Sequence, residues 1–386
     1  MKPLKILHTD FHTGWGGQAA RVLMLSRELT RRGHRVTIAA PPGELAVRAR
    51  EAGLPVEAGF SFRAPSHAYS FLRDLVRMKR LLSRERFDLV DVHGSQDTWV
   101  TAVTRLLTGS PRCLIMTRHN TKRVRTGWPN RLLYGRLIDH LIIVDESVRR
   151  GYEDFLASGI LDPRRISVIS SAYRADLFHE GVDSRRVRRE LGFSDETLVV
   201  GVAGRLVADK GHIHLMRAAA ALKPQLPMMV LVFAGAGPEE GRLKAQALEL
   251  GIDDRVRFLG FRPDIAEVEA AFDIAVLPSV GCDASSASVK EAMALGVPII
   301  ASDIGGARHL IEHGVTGMIV RPGEPDDLAS ALKSMADDRA AARRMALKAR
   351  EDVTRRFSID RLADETLAVY ASVLHQREPD HAWQAA

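Results

Sequence analysis

The residues best suited to chemistry lie in one stretch, 278–306, where a loop and a short helix separate two apolar runs with the pattern of buried strands. Serines offer N-caps for that helix, and Gly296 is placed to end it. A helix that begins at the carboxyl edge of a parallel sheet presents unpaired N–H groups and a positive dipole end, which together hold a phosphate. Glu291 lies one turn into the helix, so its carboxylate could reach a ligand there, although a solvated helix glutamate has the same pattern.

A glycine-rich loop, Thr13-Gly-Trp-Gly-Gly-Gln18, follows the first apolar run, and apolar residues then recur at helical spacing until Gly33. This order of strand, glycine loop and helix lets a ligand or a facing domain approach the backbone closely. The spacing lacks the full dinucleotide fingerprint, and no acidic residue ends the second predicted strand, 36–40. A nicotinamide or flavin site is therefore not expected.

Two histidines stand at the ends of predicted strands, His93 before Gly94 and His119 after Arg118. The carboxyl ends of strands in open α/β sheets face the crevice where ligands bind. Each histidine could instead be structural and bond a neighbouring backbone group.

Strands and helices alternate strictly, which predicts doubly wound parallel sheets. The pattern breaks into a polar stretch at 170–194, and a second series of strands starts at 197–203. We therefore expect an α/β fold of two doubly wound domains that face each other across a ligand cleft, residues 1–172 and 173–358, with the C-terminal helix, 359–386, packed back on the first. The predicted strands of the first domain are 4–8, 36–40, 54–58, 88–93, 113–119, 141–144 and 166–169, and its later helices are 69–86, 97–107, 130–138 and 146–157.

Composition sets the outer bounds. A chain of 386 residues favours two domains, and it contains no apolar run of about 18 residues that would mark a membrane span. The amino end has too short an apolar core for a signal peptide, which predicts a cytoplasmic protein. Two cysteines, Cys113 and Cys282, exclude a disulfide framework or a cysteine-built metal site. The net charge of +7 indicates an anionic partner.

Three motifs in order carry a resemblance to a known family. They are Gly14-Trp-Gly-Gly17, Gly204-Arg205 with Lys210-Gly211, and an acidic-x7-Glu box that ends in Glu291-Ala-Met-Ala-Leu-Gly-Val-Pro298. Along nearly the whole chain they resemble the nucleotide-sugar-dependent glycosyltransferases of family 4, the retaining group whose two facing Rossmann-like domains form the GT-B architecture. The stretches 15–18, 93–99 and 117–119 look closest to bacterial lipopolysaccharide-core and cell-envelope glycosyltransferases.

The resemblance implies a role for each motif. Arg205 and Lys210, beside Gly204, would clamp the diphosphate and stabilise the charge that develops on it as it leaves. Glu291 would bind both ribose hydroxyls. His119, and less directly His93, would touch the donor sugar or its phosphate from the first domain. The other residues that the resemblance implies are Ala287 and Ser288 at the phosphates, Gly16 and Gly17 at the diphosphate and acceptor, and Asp283 as the first acid of the acidic box.

The resemblance also implies retention by front-side attack, in which the leaving phosphate takes the proton of the acceptor hydroxyl. No Asp-x-Asp occurs in the chain, so we expect neither a bridging metal nor a cofactor beyond the nucleoside-diphosphate sugar itself. One departure concerns the donor: where the family usually shows Glu-Gly-Phe-Gly, this chain has Asp283-Ala-Ser-Ser286, so the first acid is shorter and the glycines are gone.

The sequence thus predicts a cytoplasmic, metal-independent, retaining glycosyltransferase that acts on an envelope glycan or glycolipid such as lipopolysaccharide core. Two alternatives stay open: a nucleotide-sugar epimerase on the same architecture, and a catalytically weak nucleotide-sugar-binding protein. Nucleic acid is not an expected partner, because the basic residues lack interleaved aromatics or a reading helix.

Basic residues on the first domain predict a peripheral contact with an anionic surface at the inner face of the cytoplasmic membrane. Six of them and no acid lie in 118–136, and the predicted helix 69–86 adds six more beside an apolar stripe. The stripe also suits docking on the sheet, which needs covering helices.

Overall fold

The computed structural model describes residues 2–63, 66–281 and 286–377. The chain divides into two compact units, Met1–Ala172 with Ile359–Ala386, and Tyr173–Ser358. Each unit is built on one parallel sheet covered by helices, which is the Rossmann-like arrangement that the alternating pattern predicts.

The first unit has a seven-stranded parallel sheet. Its strands are β1 (Lys5–Thr9), β2 (Arg35–Ala39), β3 (Val56–Glu57), β4 (Leu89–Val92), β5 (Cys113–Arg118), β6 (His140–Ile143) and β7 (Ile166–Val168). Their order in the sheet is β3-β2-β1-β4-β5-β6-β7. Strands on either side of the β1/β4 pair are therefore added in opposite directions, which makes this pair the topological switch point of the sheet.

The second unit has a six-stranded parallel sheet. Its strands are β8 (Leu198–Ala203), β9 (Met229–Ala234), β10 (Val256–Gly260), β11 (Ile274–Leu277), β12 (Ile299–Ser302) and β13 (Met318–Val320). The order is β10-β9-β8-β11-β12-β13, so the switch point lies between β8 and β11.

Helices connect the strands in both units. They are α1 (Gly17–Arg31), α2 (Glu44–Glu51), α3 (Ala68–Glu85), α4 (Ser95–Thr108), α5 (Trp128–Leu132), α6 (Glu153–Ala157), α7 (Arg185–Glu190), α8 (His212–Leu222), α9 (Glu240–Glu249), α10 (Ile265–Ala270), α11 (Ala287–Leu295), α12 (Ala307–Leu310), α13 (Pro325–Asp337), α14 (Arg339–Arg356) and α15 (Ile359–Gln376). Within the described residues, no helix is both long enough and apolar enough to span a bilayer.

Burial on both faces explains the apolar runs. Every residue of β11 and β12 is buried, because helices cover both sides of a parallel sheet. In the first unit α15 completes the core, where its Leu362 and Val373 pack with Leu25 and Leu29 of α1. The chain thus returns to the first unit through one amphipathic helix.

Local geometry differs from the sequence prediction in three places. Of the helix predicted at 130–138, only the start is α-helical, as α5, and Leu133–Leu137 is a π-helix. The segment predicted as one helix, 146–157, is a 3-10 helix over Glu146–Tyr152 before α6 begins. The carbonyl of Gly151 accepts the amide of Val124 at 3.0 Å, which draws this backbone toward a neighbouring loop. The strand predicted at 54–58 is reduced to β3, since Pro55 has no amide to donate to a ladder.

Candidate functional site

Two loops meet at the switch point of the second sheet. The loop 204–211 follows β8, and the loop 278–281 follows β11. The amides of Val280 and Gly281 both donate to the carbonyl of Asp209, at 2.8 and 3.1 Å. The first loop is therefore tied to the second by backbone contacts, at the edge where open α/β sheets bind ligands.

Glycines allow these loops to approach so closely. Gly211 has a φ of +65°, and a Cβ added there would lie 2.0 Å from the carbonyl oxygen of Pro278. A Cβ on Gly235, which follows β9, would lie 1.9 Å from the carbonyl oxygen of Gly204. No side chain fits at either position. Gly211, next to Lys210, and Gly235 are thus required by the packing of the loops themselves.

Two cations lie on this fixed loop. Arg205 is exposed, and no hydrogen bond or ion pair holds its side chain to another described residue. Lys210 is half-buried, and its Cε lies 4.0 Å from the position that a Cβ on Gly204 would occupy. The lysine side chain therefore returns to the start of the loop, next to Arg205, and the two positive charges share one end of β8.

Helix α11 begins beside this edge. Ser286 precedes it with a φ of +40°, and Gly296 ends it with a φ of +71°. Ala287 is exposed and Ser288 is half-buried. The amides of the first helical residues have no partner within the helix, so this N-terminus can receive an anion. Asp283 lies outside the described residues.

Glu291 lies in the second turn of α11, half-buried. Burial raises the pKa of its carboxyl to about 7, against the opposing charges of Arg174 and Lys290. Glu269 of α10 is 2% exposed, and its Oε1 has no hydrogen-bond partner within the described residues. Burial, reinforced by the charge of Glu291, raises the pKa of Glu269 well above its usual range. The two carboxyls therefore hold at least one proton near neutral pH.

Three histidines form a row at the switch point of the first sheet. Nδ1 of His8, in β1, lies 2.9 Å from Nε2 of His93, which follows β4. Nδ1 of His93 lies 3.1 Å from Nε2 of His119, which follows β5. His8 and His93 are buried and His119 is half-buried. The structure thus brings together the two histidines predicted from the sequence and adds His8 as a third.

Asp91, in β4, lies beside this row, with its Oδ1 3.8 Å from Nε2 of His93. Its carboxylate accepts the hydroxyl of Tyr370 at 2.6 Å and the hydroxyl of Thr117 at 2.9 Å. Burial raises the pKa of Asp91 to about 7, although both hydroxyls and the charge of Arg21 oppose the shift. Among the described residues, one atom each of His8, Asp91 and His93 lie within 4.8 Å of one another, a grouping that could hold a metal ion. Nδ1 of His8 and Nε2 of His93 are, however, hydrogen bonded to each other.

The glycine loop after β1 differs from the loops of the second unit. A Cβ on Gly14 or Gly16 would meet no heavy atom within 4 Å, and Gly16 has an extended φ of −173° that any residue adopts. Gly16 and Gly17 are both exposed where α1 begins. The fold of this unit does not require glycine at 14 or 16, so the open space above the backbone is free for a ligand.

Comparisons with known proteins identify the family. The model for "Glycosyltransferase Family 4" matches residues 15–187, and the model for "Glycosyl transferases group 1" matches residues 183–352. A D-inositol 3-phosphate glycosyltransferase of Corynebacterium glutamicum is 30% identical, over 95% of this chain and 94% of the relative. The chain is a family 4 glycosyltransferase.

Solved structures show that this glycosyltransferase has the GT-B fold. HepE from Anabaena in complex with UDP aligns with a TM-score of 0.80 at 23% identity, over 96% of this chain and 100% of that one. The lipopolysaccharide outer core galactosyltransferase WaaB aligns with a TM-score of 0.73 at 16% identity, over 95% and 99% of the two chains. The predicted architecture is confirmed.

Sequence reasoning missed three groups in the glycosyltransferase: His8, Asp91 and Glu269. A signal was present for the first two, because each is a polar residue inside an apolar strand run, where a buried side chain needs a partner. Glu269 lies in a short helix that the sequence analysis did not predict, so nothing indicated that it would be buried beside Glu291.

Replacing Gly211 with alanine tests whether loop packing positions the clamp of the glycosyltransferase. Gly251 is the matched control, because it has nearly the same φ, +63°, and an added Cβ there meets nothing within 4 Å. We expect Gly251→Ala to cost about 1–2 kcal/mol of stability, the left-handed penalty alone, with activity unchanged. Gly211→Ala should cost more and also lower turnover, since Pro278 forces the loop to move. Turnover and thermal unfolding are measured for both variants. Equal turnover would show that the packing of this loop does not affect the reaction.

Proposed function

We propose that this glycosyltransferase transfers a sugar, with retention, from a nucleoside-diphosphate sugar to an envelope glycan or glycolipid such as lipopolysaccharide core. The observation that carries the proposal is the sheet topology: Arg205 and Lys210 follow β8, and α11 follows β11, the strand that pairs with β8 at the switch point of the second sheet. Cations and unpaired amides at one sheet edge suit a diphosphate. HepE, with the same fold, was crystallised with UDP and with UDP-glucose.

The proposed reaction breaks the bond between the anomeric carbon and the phosphate oxygen and forms one to the acceptor oxygen on the same face. The leaving phosphate takes the acceptor's proton, so no carboxylate nucleophile is needed. Arg205 and Lys210 stabilise the negative charge as it develops on the diphosphate. In this proposal the two cations and the helix dipole do what a bridging metal does in other transferases, and Glu291 accepts both ribose hydroxyls.

A small phosphorylated polyol is a second candidate class of acceptor, and the name of one relative favours it. The relative that matches along nearly the whole chain is named for D-inositol 3-phosphate. Another relative, 24% identical over 78% of this chain, is an Escherichia coli galactosyltransferase named for a diphosphoundecaprenol acceptor. A small phosphorylated polyol and a membrane glycolipid are both anionic, which suits a chain of net charge +7.

Donor turnover with and without acceptor tests the proposal. Nucleotide sugars are first screened by thermal stabilisation, where a ligand at 100 times its dissociation constant adds roughly 2.7 kcal/mol. Release of nucleotide is then measured alone, with lipopolysaccharide core, with an undecaprenyl-linked glycan and with D-inositol 3-phosphate. Stimulation by one acceptor supports transfer and identifies its class. Turnover of donor to an epimer without any acceptor indicates the epimerase, and binding without turnover indicates a binding protein.

We also propose that the first unit contacts an anionic membrane through α3. Tyr69, Leu72 and Val76 share one face of this helix and are exposed by 81, 60 and 50%. Met78, Leu81 and Leu82 of the same helix are buried in the unit. Part of the apolar stripe thus packs into the unit, and the other part forms an exposed apolar row. Exposed arginines at 73, 77 and 80 flank this row. That combination is typical of a helix that lies at a membrane interface.

Vesicle co-sedimentation tests this contact. We expect binding to anionic vesicles at low salt, loss of binding at high salt, and none to neutral vesicles, because each basic residue contributes on the order of 1 kcal/mol within a Debye length. Leu72→Glu should abolish binding. Leu248→Glu, at an equally exposed leucine of α9, is the control and should leave binding intact. Equal binding to both vesicle types, or none to either, would contradict the proposal and assign the charge to a soluble anionic acceptor.

A further inference from the structure

The two hydrogen bonds of the histidine row must run in the same direction from donor to acceptor, which we call the direction of the row. Each of its two N···N contacts needs one nitrogen that donates a proton and one that accepts it. If all three imidazoles are neutral, each carries a single proton. Fixing the proton on one ring therefore fixes the protons on all three.

His8 sets that direction. Its Nε2 is buried and has no hydrogen-bond partner within the described residues. A buried N–H without a partner is rare and costly, whereas a bare acceptor is tolerated more often. The proton of His8 therefore lies on Nδ1 and is donated to Nε2 of His93. His93 then carries its proton on Nδ1 and donates it to Nε2 of His119, which leaves the proton of His119 on Nδ1.

Charged groups around the row keep it neutral. Burial, and next the charge of Arg21 in α1, lower the pKa of His8 to about 3. Burial and Arg21 also lower the pKa of His119 well below its usual range, with smaller contributions from His12 and Arg118. Protonating His93 or His119 would add to this cost, because the new Nε2–H would face the Nδ1–H of the preceding ring. Protonating His8 would place a buried N–H on Nε2, which has no partner within the described residues. The pKa of His93 is lowered in the same sense.

Asp91 in β4 and Tyr370 in α15 face the row, but they do not reverse the direction of its hydrogen bonds. Asp91 Oδ1 lies 3.8 Å from Nε2 of His93, which is beyond hydrogen-bond distance. Its carboxylate already accepts the hydroxyls of Thr117 and Tyr370. An Nε2–H on His93, donated back toward His8, would leave His8 with the orphaned N–H that burial disfavours.

We propose that His8 and His93 are positioning residues that hold His119 as a neutral imidazole with its proton on Nδ1, so that His119 donates a hydrogen bond to a ligand oxygen and cannot act as a base. His119 Nδ1 has no hydrogen-bond partner within the described residues, so its N–H is available. The ligand oxygen is a sugar hydroxyl or a phosphate oxygen. That identity rests on the proposed function, whereas the direction of the row does not.

Histidine tautomers in the ligand-free protein test the direction. The full chain is labelled with 15N-histidine, and long-range 1H–15N spectra are recorded from pH 5 to 8, with the three signals assigned from His8→Gln, His93→Gln and His119→Gln. We expect all three rings to be Nδ1–H tautomers that do not titrate in this range. An Nε2–H tautomer at His119, or titration of it near pH 6.5, would overturn the proposal. So would one equivalent of bound zinc that His8→Gln loses, because the His8–His93 contact would then be a ligand pair.

Activity with a donor found in the screen gives the second readout. The amide nitrogen of asparagine overlays the Nδ1 position of histidine, and that of glutamine overlays Nε2. We therefore expect His119→Asn to keep turnover within about 10-fold and His119→Gln to lose about 10²-fold, the scale of one preorganised donor. The reverse order would overturn the proposal.

His93→Phe separates positioning from a structural role. It keeps a ring but removes the partner of His119 Nε2, so turnover should fall and a new pH-dependent limb should arise near the ordinary histidine pKa of about 6.5. The control is His140→Gln. His140 is half-buried, is the first residue of β6 and therefore lies at the amino edge of the sheet, where it bonds Ser167. A pH profile of His93→Phe that parallels the wild type would overturn the proposal. If no nucleotide sugar supports turnover, the proposed function fails while the tautomer measurement still decides the direction.

Discussion

Arg205→Ala and Lys210→Ala should each lower turnover by roughly 10²–10³-fold at saturating donor, with the thermal midpoint unchanged. Both side chains lie on the loop 204–211, whose shape is set by hydrogen bonds from the amides of Val280 and Gly281 to Asp209 and by close packing against Pro278 and Gly235. Removing either cation therefore removes a preorganised charge without altering the loop. The loss should fall on turnover more than on donor affinity, because the charge on the diphosphate is largest in the transition state.

Arg217→Ala is the matched control for the Arg205→Ala and Lys210→Ala variants. Arg217 is an exposed cation of α8, the helix that follows the clamp loop, and no hydrogen bond or ion pair holds it to another described residue. This variant tests whether turnover depends only on the net positive charge near the site. Near-normal turnover in both clamp variants, or a comparable loss in Arg217→Ala, would remove Arg205 and Lys210 from the mechanism.

Glu291→Gln should weaken binding of the nucleoside diphosphate by roughly 10–100-fold, the range for hydrogen bonds to a charged group. In the wild type, burial raises the pKa of Glu291 to about 7. Below that pH the carboxyl is protonated and accepts the ribose hydroxyls poorly, so affinity should rise with pH up to about 7 and level off above it. One pH unit below the pKa changes affinity by at most about tenfold.

Calorimetric titration from pH 5.5 to 8.5 measures this dependence. The phosphates of the ligand also titrate, so the informative quantity is the ratio of the wild-type to the Glu291→Gln dissociation constant at each pH. Glu249→Gln, at an exposed glutamate of α9, controls for the loss of one charge. A pH-independent ratio would show that Glu291 does not bind the ribose as an ionised carboxylate.

Strands were the most predictable part of the fold. The run 197–203 was predicted as a strand and is β8, and the helix between 278 and 297 is α11, ended by Gly296 as its composition indicated. Such runs are predictable because a parallel sheet buried on both faces needs continuous apolar sequence. Short amphipathic helices such as α2 and α10 were missed, because six to eight residues carry too little periodicity to be separated from loops.

The candidate site was predictable only in part. Arg205, Lys210 and Glu291 were found because glycines and helix signals mark their positions locally. The partners of His93 could not be found in this way, since His8 is 85 residues away and meets it only when β1 pairs with β4. Strand order in the sheet, which makes that meeting possible, leaves no trace in local pattern.

That Asp283 contacts the donor sugar stays a prediction, because Asp283 lies outside the described residues. Its surroundings depart from the family pattern at 283–286, where small serines and alanine replace glycines and an aromatic residue. If Asp283 contacts the sugar, we expect Asp283→Asn to weaken discrimination among donor sugars more than binding of the nucleoside diphosphate, and Glu291→Gln to do the reverse.

Hydrogen–deuterium exchange of the full chain with UDP or GDP measures most directly whether the carboxyl edge of the second sheet binds the nucleoside diphosphate. Amides that receive or neighbour the phosphates should exchange more slowly on binding. We expect protection of the peptides that cover 204–211 and 286–291, and loss of that protection in Glu291→Gln at the same ligand concentration. Saturating binding without protection of either peptide would contradict binding at this edge and show that the nucleotide binds elsewhere.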